Sequence, residues 1–384
     1  MYSSITSFGA SLADFQINGA MFRYSIFVPK FYNWCKSLGF EAGKIMPSRA
    51  FCSDESQGYP IILITKHFGT FPFNHGRVGG IVATDRHGPH AEHGQDMVII
   101  QASHVGYDDS SHHFGCYKRL QTSSHDNSPS CGKVHAVLSW YINEYNFAKD
   151  NIYLSQNGKD RLITIDNQLL NENREEGLFL HLERIVEVDE NGETHPIKTL
   201  STAKSYRVSS RFQKMLGDFE WQGSKRQKIG DRLVPELFQF KRIIDETITD
   251  MENDRFLEKN LLNPMPWIVT SPAPLLMAAQ VNTQVEFDRT FRTIAKEHGY
   301  RGKKLVFIAG LNIDISPQPG QLFPLTKFVP WAAYVQDRDD SFFTLEQQEL
   351  VDILNRQSSE NADQIDLEDA IHKMGVAKEV KVFV

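Results

Sequence analysis

The chain has 384 residues, which is enough for one large domain or two ordinary ones. Its 41% of hydrophobic and 23% of charged residues are typical of a soluble globular protein. A formal net charge of -7 gives no electrostatic reason to expect nucleic acid or an anionic membrane as a partner. No apolar run approaches the roughly 18 residues that a membrane span requires.

The four cysteines are too sparse for a disulfide framework in a chain of this length, so reduced thiols are expected. The first residues lack the basic flank and apolar core of a secretory signal. Together these features favour a cytoplasmic location.

The first predicted elements come before residue 80. Helical spacing of apolar side chains predicts a helix over residues 27–38 that ends at Gly39 and buries Cys35. A short strand is expected over 45–52, followed by a helix or a second strand over 59–67. Residues 71–80 are rich in Gly and Pro, which indicates a tight loop.

The next predicted elements carry a histidine and a cysteine. Residues 97–102 have the composition of a buried strand, with His104 in the turn at its carboxyl end. A polar connection leads to a helix that opens at Cys131, with Ser128 or Ser130 as its cap.

The second half of the chain has weaker patterns. Strands are predicted over 162–165, 184–188, 267–270 and 304–309, and helices over 234–260, 275–297, 345–356 and 367–374. The polar residues 190–232 indicate an insertion or a mobile linker. The alternation of strands and helices predicts an α/β fold.

Three side chains with metal-ligand chemistry lie at boundaries of the predicted elements. A catalytic zinc takes three protein ligands and prefers Cys and His, and an α/β sheet places its ligands near the carboxyl ends of strands. Cys52, His104 and Cys131 fit this arrangement, and Asp54 would share the face of Cys52 if the backbone there is extended. The alternative is that the two cysteines are buried hydrophobes and His104 is a hydrogen-bonded turn residue.

The order of these motifs resembles a known family. The segments Cys52-Ser-Asp54-Glu, Phe71-Pro-Phe-Asn-His-Gly-Arg-Val-Gly79-Gly80, Gln101-Ala-Ser-His104-Val-Gly-Tyr and Ser130-Cys131-Gly132 resemble the limiting-CO2-inducible protein B/C family of divergent β-type carbonic anhydrases. The match is specific over about residues 20–150. Residues 305–313 and 321–324 resemble the C-terminal strand and loop of the family, and the resemblance does not extend to residues of about 150–260.

The resemblance implies a fold and a metal site. It implies a β-carbonic-anhydrase-like central sheet flanked by helices, with additional helical or insertion elements in the second half. The chain would form a single domain over residues 1–384, with a core at 20–150, an insertion or subdomain at about 150–260, and the C-terminal strand and helices at 261–384. Zinc (Zn2+) would be held by Cys52, His104 and Cys131, with Asp54 beside the metal.

One position departs from the ordinary β-type pattern. Ser56 stands where Cys-x-Asp-x-Arg has the arginine that holds the aspartate away from the metal. Arg77 and Arg86 are the candidates for that role, with the alternative that each is a solvated surface residue. An Asp54 that bound zinc directly would fill the open coordination position and block activity.

The implied reaction is the reversible hydration of CO2 to bicarbonate, in which zinc acidifies a bound water to supply hydroxide. A narrow apolar pocket for CO2 is expected from Phe71, Phe73, Val78, Gly79 and Gly80, although the aromatic side chains equally suit a core. Imidazoles that carry the released proton are sought at His87, His90 and His93, which are otherwise ordinary exposed histidines.

Three functions remain open from the sequence. The first is a zinc carbonic anhydrase, expected as a homodimer because β-type sites form near a subunit interface. The second is a non-catalytic partner or sensor of the same fold that binds zinc and bicarbonate. The third is the hydrolysis of another small carbonyl or carbon–sulfur substrate at the same metal.

Overall fold

The computed structural model describes residues 15–83, 96–118, 127–243, 252–321 and 323–378. Contacts between α-carbons divide these residues into two compact units. The first unit contains the described residues up to Lys133 and from Ala279 onward, and the second contains Val134–Ala278. The single domain over residues 1–384 and its insertion stay predictions.

The strands of the described residues are short except for three in the first unit. In chain order they are β1 (Phe22–Arg23), β2 (Ile45–Ala50), β3 (Phe73–Asn74), β4 (Gly76–Arg77), β5 (Ile81–Val82), β6 (Asp96–Asp108), β7 (His113–Phe114), β8 (Cys116–Lys118), β9 (Asn127–Pro129), β10 (Ile152–Asn157), β11 (Asp160–Asp166), β12 (Gly177–Leu180), β13 (Lys198–Thr199), β14 (Ala203–Arg207), β15 (Gln227–Lys228), β16 (Phe238–Lys241), β17 (Leu305–Ile315), β18 (Leu325–Gln336) and β19 (Phe342–Leu345).

The helices are interspersed among these strands along the chain. They are α1 (Tyr24–Ser37), α2 (Gly58–Phe68), α3 (Gly132–Asn151), α4 (Leu182–Ile185), α5 (Ser210–Leu216), α6 (Glu252–Leu262), α7 (Met265–Thr270), α8 (Pro274–Ile294), α9 (Gln347–Arg356) and α10 (Leu367–Gly375). Single 3-10 turns are formed by Glu55–Gln57, Val78–Gly80, Gly230–Arg232, Pro235–Leu237 and His298–Tyr300.

The first unit is built on a mixed sheet, which within the described residues has eight strands. Its order is β1-β18-β17-β6-β2-β3, with β19 paired to β18 and β7 to β6. The central pairs β17–β6, β6–β2 and β2–β3 are parallel, whereas β17 and β18 are antiparallel. The α/β class expected from the sequence, a central sheet flanked by helices, is confirmed.

The core of the first unit lies on the two central strands, whose residues are almost all buried. Strands covered on both faces carry continuous apolar runs, as β6 and β17 do. On one face, Phe287 of α8 stacks on Phe307 of β17 with ring centroids 5.5 Å apart, among Met97, Ile99 and Ile294. This packing covers one face of β6 and β17 with side chains of α8.

The register of the parallel strands brings distant residues to one end of the sheet. Ala50 of β2 pairs with Gln101 of β6, and His104 of β6 pairs with Asn312 of β17. Cys52, which follows the carboxyl end of β2, is therefore brought to the level of His104.

The second unit has its own antiparallel sheets. Its five-stranded sheet has the order β13-β14-β11-β10-β15, and β12 pairs with β16. Residues 190–232, predicted as an insertion or a mobile linker, instead supply β13, β14, α5 and β15 to this unit. The expectation of a mobile linker is wrong because β14 pairs with β11 and β13 and buries Ala203, Ser205 and Tyr206, although the segment as a whole is polar.

The prediction that His104 lies in a turn is wrong, because β6 continues to Asp108. The predicted turn contained Gly106. In the structure this glycine lies in the strand, where Cys116 and Ser130 approach its backbone closely. A Cβ atom at Gly106 would lie 2.9 Å from the backbone of Cys116 and from the Cβ of Ser130. Glycine in a strand often marks such a contact.

Three predicted elements of the second unit differ from the structure. Residues 267–270, predicted as a strand, lie in helix α7, because a short apolar run fits either structure. Residues 184–188, also predicted as a strand, begin in helix α4, and only Val186 and Val188 form isolated β-bridges. The helix predicted over 234–260 is wrong over residues 235–241. These form the 3-10 turn Pro235–Leu237 and strand β16, where Phe238 and Phe240 are buried and alternate with exposed neighbours. From Glu252 onward the segment belongs to α6.

The other elements agree with the sequence predictions. The helices α1, α2, α8, α9 and α10 and the strands β2, β11 and β17 lie where they were expected. Cys35 is fully buried on α1, and Gly39, just after that helix, has φ 83°.

Candidate metal centre

Three buried side chains meet at the carboxyl end of β2. The Sγ atoms of Cys52 and Cys131 and a ring nitrogen of His104 all lie within 4.8 Å of one another. The three residues are at most 5% exposed. We call this group the thiol–imidazole cluster.

Each member of the cluster is placed by a different local structure. Cys52 follows β2, His104 is inside β6, and Cys131 directly precedes α3. Cys131 has φ 54°, a left-handed conformation that non-glycine residues rarely adopt. Such strain, of order 1–3 kcal/mol, is concentrated at functional sites.

The imidazole of His104 is oriented by a carboxylate. Its Nδ1 lies 2.8 Å from Oδ2 of Asp314 on β17, and neither side chain has exposed surface. A carboxylate only accepts hydrogen bonds, so Nδ1 carries the proton. The other nitrogen, Nε2, is buried and has no hydrogen-bond partner within the described residues.

Asp314 is held in turn by side chains from several elements. Its Oδ2 accepts hydrogen bonds from the hydroxyls of Ser56 (2.9 Å) and Ser130 (3.0 Å), and its Oδ1 accepts from Thr326 (2.9 Å) and from Nε2 of Gln57 (3.1 Å). A carboxylate has about four acceptor positions, so these four donors and His104 use its full acceptor capacity.

A buried polar chain extends this arrangement to α1. The hydroxyl of Tyr24 donates to Oδ1 of Asn312 (2.6 Å), and Nδ2 of Asn312 donates to Oε1 of Gln57 (2.6 Å). The amide orientation of Gln57, which donates to Asp314, is thereby fixed.

The hydroxyl of Ser130 is therefore directed into the site. Ser128 Oγ is buried without a hydrogen-bond partner among the described residues. The prediction that one of these hydroxyls caps α3 is wrong, because Asp314 offers Ser130 a buried charged acceptor.

The proton affinities in the cluster are strongly shifted. Hydrogen bonding with Cys131 is the main effect that lowers the pKa of Cys52 to about 4, against burial, which raises it. Hydrogen bonding with Cys52 and burial raise the pKa of Cys131. Burial lowers the pKa of His104, but the charge of Cys131 and the bond to Asp314 outweigh it and raise that pKa well above its ordinary value. The site thus favours the thiolate form of Cys52, which is the form in which cysteine binds metals.

A glycine turn closes over one sulfur. The backbone N–H of Gly79 donates to Sγ of Cys52 at 3.3 Å. Gly79 and Gly80 have φ 76° and 79°, which glycine adopts without strain. We call the turn Val78–Gly80 the glycine loop.

The chemistry of the three side chains suits a bound metal ion. Two thiol sulfurs and one imidazole are a known catalytic zinc set, and a histidine ligand typically donates its second N–H to a carboxylate. His104 has this arrangement, with Nδ1 on Asp314 and Nε2 directed among the sulfurs. The cluster is therefore able to bind a metal ion, whose identity the geometry leaves open.

Comparison with solved structures gives the same architecture. A crystal structure of PtLCIB4, a homolog of the limiting CO2-inducible protein LCIB, matches with a TM-score of 0.50 and 10% identity over 90% of this chain and 99% of that chain. A histidine-to-alanine mutant of PtLCIB4 gives 0.50 and 10% over 88% and 97%.

This chain has the LCIB fold. The likeness to the limiting-CO2-inducible proteins that the motifs indicated is thus confirmed at the level of the fold. LCIB itself gives a TM-score of 0.45 and 12% identity over 86% of this chain and 96% of that chain. No protein-family model and no curated protein matches the sequence.

Within this LCIB-like fold, Asp54 and Arg77 are half-buried near the ends of short elements. The Asp54 carboxylate accepts the N–H of Ser56 (3.1 Å) and caps the turn Glu55–Gln57. It is not part of the thiol–imidazole cluster. Arg77 lies on β4, whereas Arg86 lies outside the described residues.

The residues predicted to line a pocket differ in exposure. Phe71 is 72% and Phe73 38% exposed, whereas Gly79 and Gly80 are buried and Val78 is half-buried. His87, His90 and His93 lie outside the described residues. The pocket and the proton route stay predictions.

The sequence interpretation missed Asp314, Gln57 and Asn312. One signal for Asp314 was present, since it is a lone acidic residue in the apolar run of β17. A charged residue in a buried strand requires a partner, although the sequence does not say which one.

None of the helices in the described residues is long and apolar enough to span a membrane.

Proposed function

We propose that the chain is a zinc-dependent carbonic anhydrase that interconverts CO2 and bicarbonate. The single observation that carries this proposal is the thiol–imidazole cluster, with the Nε2 atom of His104 buried beside two sulfurs and without a hydrogen-bond partner among the described residues. The fold supports it, because PtLCIB4, which shares this fold, is described as a homolog of the limiting CO2-inducible protein LCIB.

In this proposal Cys52, His104 and Cys131 hold the ion, and the fourth position is open to the reaction. Zinc, when bound, would supply the Lewis acidity that lowers the pKa of a water ligand from about 15.7 to about 7. Asp314 keeps the proton of His104 on Nδ1, so that Nε2 remains a ligand.

Asp54 is the proposed acceptor that orients the attacking oxygen toward CO2. Its position two residues after Cys52 and its half-buried carboxylate support this role. Arg77 and Arg86 remain the candidates that keep the carboxylate off the metal. CO2 is small and apolar, so the glycine loop is the proposed wall of its pocket. A homodimer in the cytoplasm is part of the proposal.

The test combines metal analysis with a stopped-flow assay of CO2 hydration on the purified chain. We expect one zinc per chain, and loss of both zinc and hydration in Cys131→Ser. Cys116→Ser is the matched control, because Cys116 is a half-buried cysteine outside the cluster. Asp54→Asn should retain zinc and lose hydration. A wild-type chain without zinc, or hydration unaffected by Cys131→Ser, would refute the proposal.

A second candidate function is a non-catalytic protein that binds zinc and bicarbonate. The observation that favours it is Ser56, which stands at the arginine position of the β-type pattern and donates its hydroxyl to Asp314. Stoichiometric zinc without hydration would select this function over the first.

A further inference from the structure

The glycine loop contacts the thiol–imidazole cluster, because it supplies a hydrogen bond to the sulfur of Cys52. The N–H of Gly79 donates to Cys52 Sγ at 3.3 Å. A hydrogen bond to a thiolate withdraws electron density from the sulfur and thus weakens its donation to a bound metal. The position of Gly79 is therefore relevant to the chemistry as well as to the fold.

One buried amide on α8 holds this loop. Nδ2 of Asn282, a residue with no exposed surface, donates to the carbonyl of Gly79 (2.9 Å) and to Oγ of Ser103 (2.9 Å). Ser103 directly precedes His104 on β6. The same side chain thus connects the loop over Cys52 to the strand that carries the imidazole.

The next turn of α8 holds β5, the strand that follows the glycine loop. Oε2 of Glu286 accepts the N–H of Val82 (2.7 Å), and Arg289 bonds both to Glu286 and to the carbonyl of Val82 (2.6 Å). On the other side, Nε2 of Gln101 donates to the carbonyl of Gly80 (3.1 Å). Because Gly80 and β5 are held by these hydrogen bonds, the glycine loop has little freedom to move away from Cys52.

We propose that Asn282 is a positioning residue that holds the N–H of Gly79 on the Cys52 thiolate and so sets the electron donation of this sulfur to the metal. The proposal rests on the metal centre of the proposed function. Asn282 touches neither substrate nor metal in this role and acts through Gly79.

The test uses the full chain loaded with Co2+, whose thiolate-to-metal charge-transfer band reports the energy of the sulfur lone pairs. Loss of the N–H···S bond raises that energy, so Asn282→Leu should move the band to longer wavelength. Thr283→Val is the matched control. Thr283 is equally buried and donates to the carbonyls of Ala279 and Gly310, and its variant should leave the band in place.

A second measurement tests the proposal on the wild-type chain, in case Asn282→Leu does not fold. In the wild-type chain loaded with 113Cd, the amide proton of Gly79 should show a scalar coupling to the metal across the N–H···S bond. An unmoved band in a folded Asn282→Leu, an equal shift in Thr283→Val, or the absence of this coupling would overturn the proposal. A wild-type chain that binds neither Co2+ nor 113Cd would instead refute the metal centre. Failure of the proposed function is thus distinguishable from failure of the role proposed for Asn282.

Discussion

The Asp314→Asn variant tests how far the metal centre depends on the carboxylate behind His104. The amide keeps the size of the side chain but replaces one acceptor oxygen with an NH2 donor. The hydroxyls of Ser56 and Ser130 are able to turn away. The Nδ1–H of His104 and the Nε2–H of Gln57 always donate. In the wild type they face Oδ2 and Oδ1 of Asp314, and the variant retains only one of these two oxygens.

The magnitude follows from which donor loses its acceptor. If the new NH2 faces His104, the imidazole moves its proton to Nε2 and loses the lone pair that binds the metal. If it faces Gln57 and Thr326, a buried donor is left opposite another donor. Loss of such a partner costs about 10- to 100-fold in metal affinity, or about 1.4–2.7 kcal/mol. The buried position of Asp314 places the expectation at the upper end of this range.

The assay is a zinc competition titration against a chelator, with circular dichroism as the check on folding. Thr326→Val is the matched control, because it removes one donor to Oδ1 and leaves the bond between Asp314 and His104 in place. It should weaken binding by less than about tenfold. Equal affinities of wild type and a folded Asp314→Asn, or equal losses in the two variants, would refute the reasoning.

Three further variants test the surroundings of the site, each by urea unfolding. Gly80→Ala should lose about 2–4 kcal/mol, because Gly80 has φ 79° and a Cβ would lie 2.3 Å from the carbonyl oxygen of Ala102. Tyr24→Phe should lose about 1–2 kcal/mol, because Asn312 loses a buried donor. Burial lowers the pKa of His67 to about 4. The unfolded chain, with a histidine pKa of about 6.5, therefore binds the extra proton between these values, and wild-type stability falls as the pH drops from about 6.5 to about 4. His67→Gln should reduce this slope.

Each of these three predictions has an outcome that would contradict it. Gly19→Ala is the control for Gly80→Ala, since Gly19 has φ 82° but nothing within 4 Å of the added Cβ. Equal losses in the two would contradict the proposed clash. An unchanged stability of Tyr24→Phe would show that Asn312 finds another donor. A pH slope that His67→Gln leaves intact would assign the titration to other groups.

Much of the fold follows from local patterns in the sequence. The apolar spacing of α1 and α8 and the continuous apolar runs of β6 and β17 define elements whose type is set by residues close in sequence. The errors occur where that rule fails. Residues 267–270 form a short apolar run that fits a strand or a helix equally, and β16 is a strand because it pairs with β12.

The three side chains of the thiol–imidazole cluster were recognisable because each stands in a short motif of its own. Cys52, His104 and Cys131 were named from residue type and motif order, and the structure brings them together. What the motifs left open is the state of each ligand. The tautomer of His104 and the hydrogen bond to Cys52 depend on residues outside the motifs.

The sequence by itself therefore determined the α/β class, the positions of the two central strands but not their length, and the three side chains with ligand chemistry. The tertiary structure alone decided that Asp314 lies behind His104, 210 residues away in the chain, and that Asn282 holds the loop over Cys52. The physical reason is register. The parallel pairing of β6 and β17 places His104 beside Asn312, and such long-range pairing leaves no local pattern in the sequence.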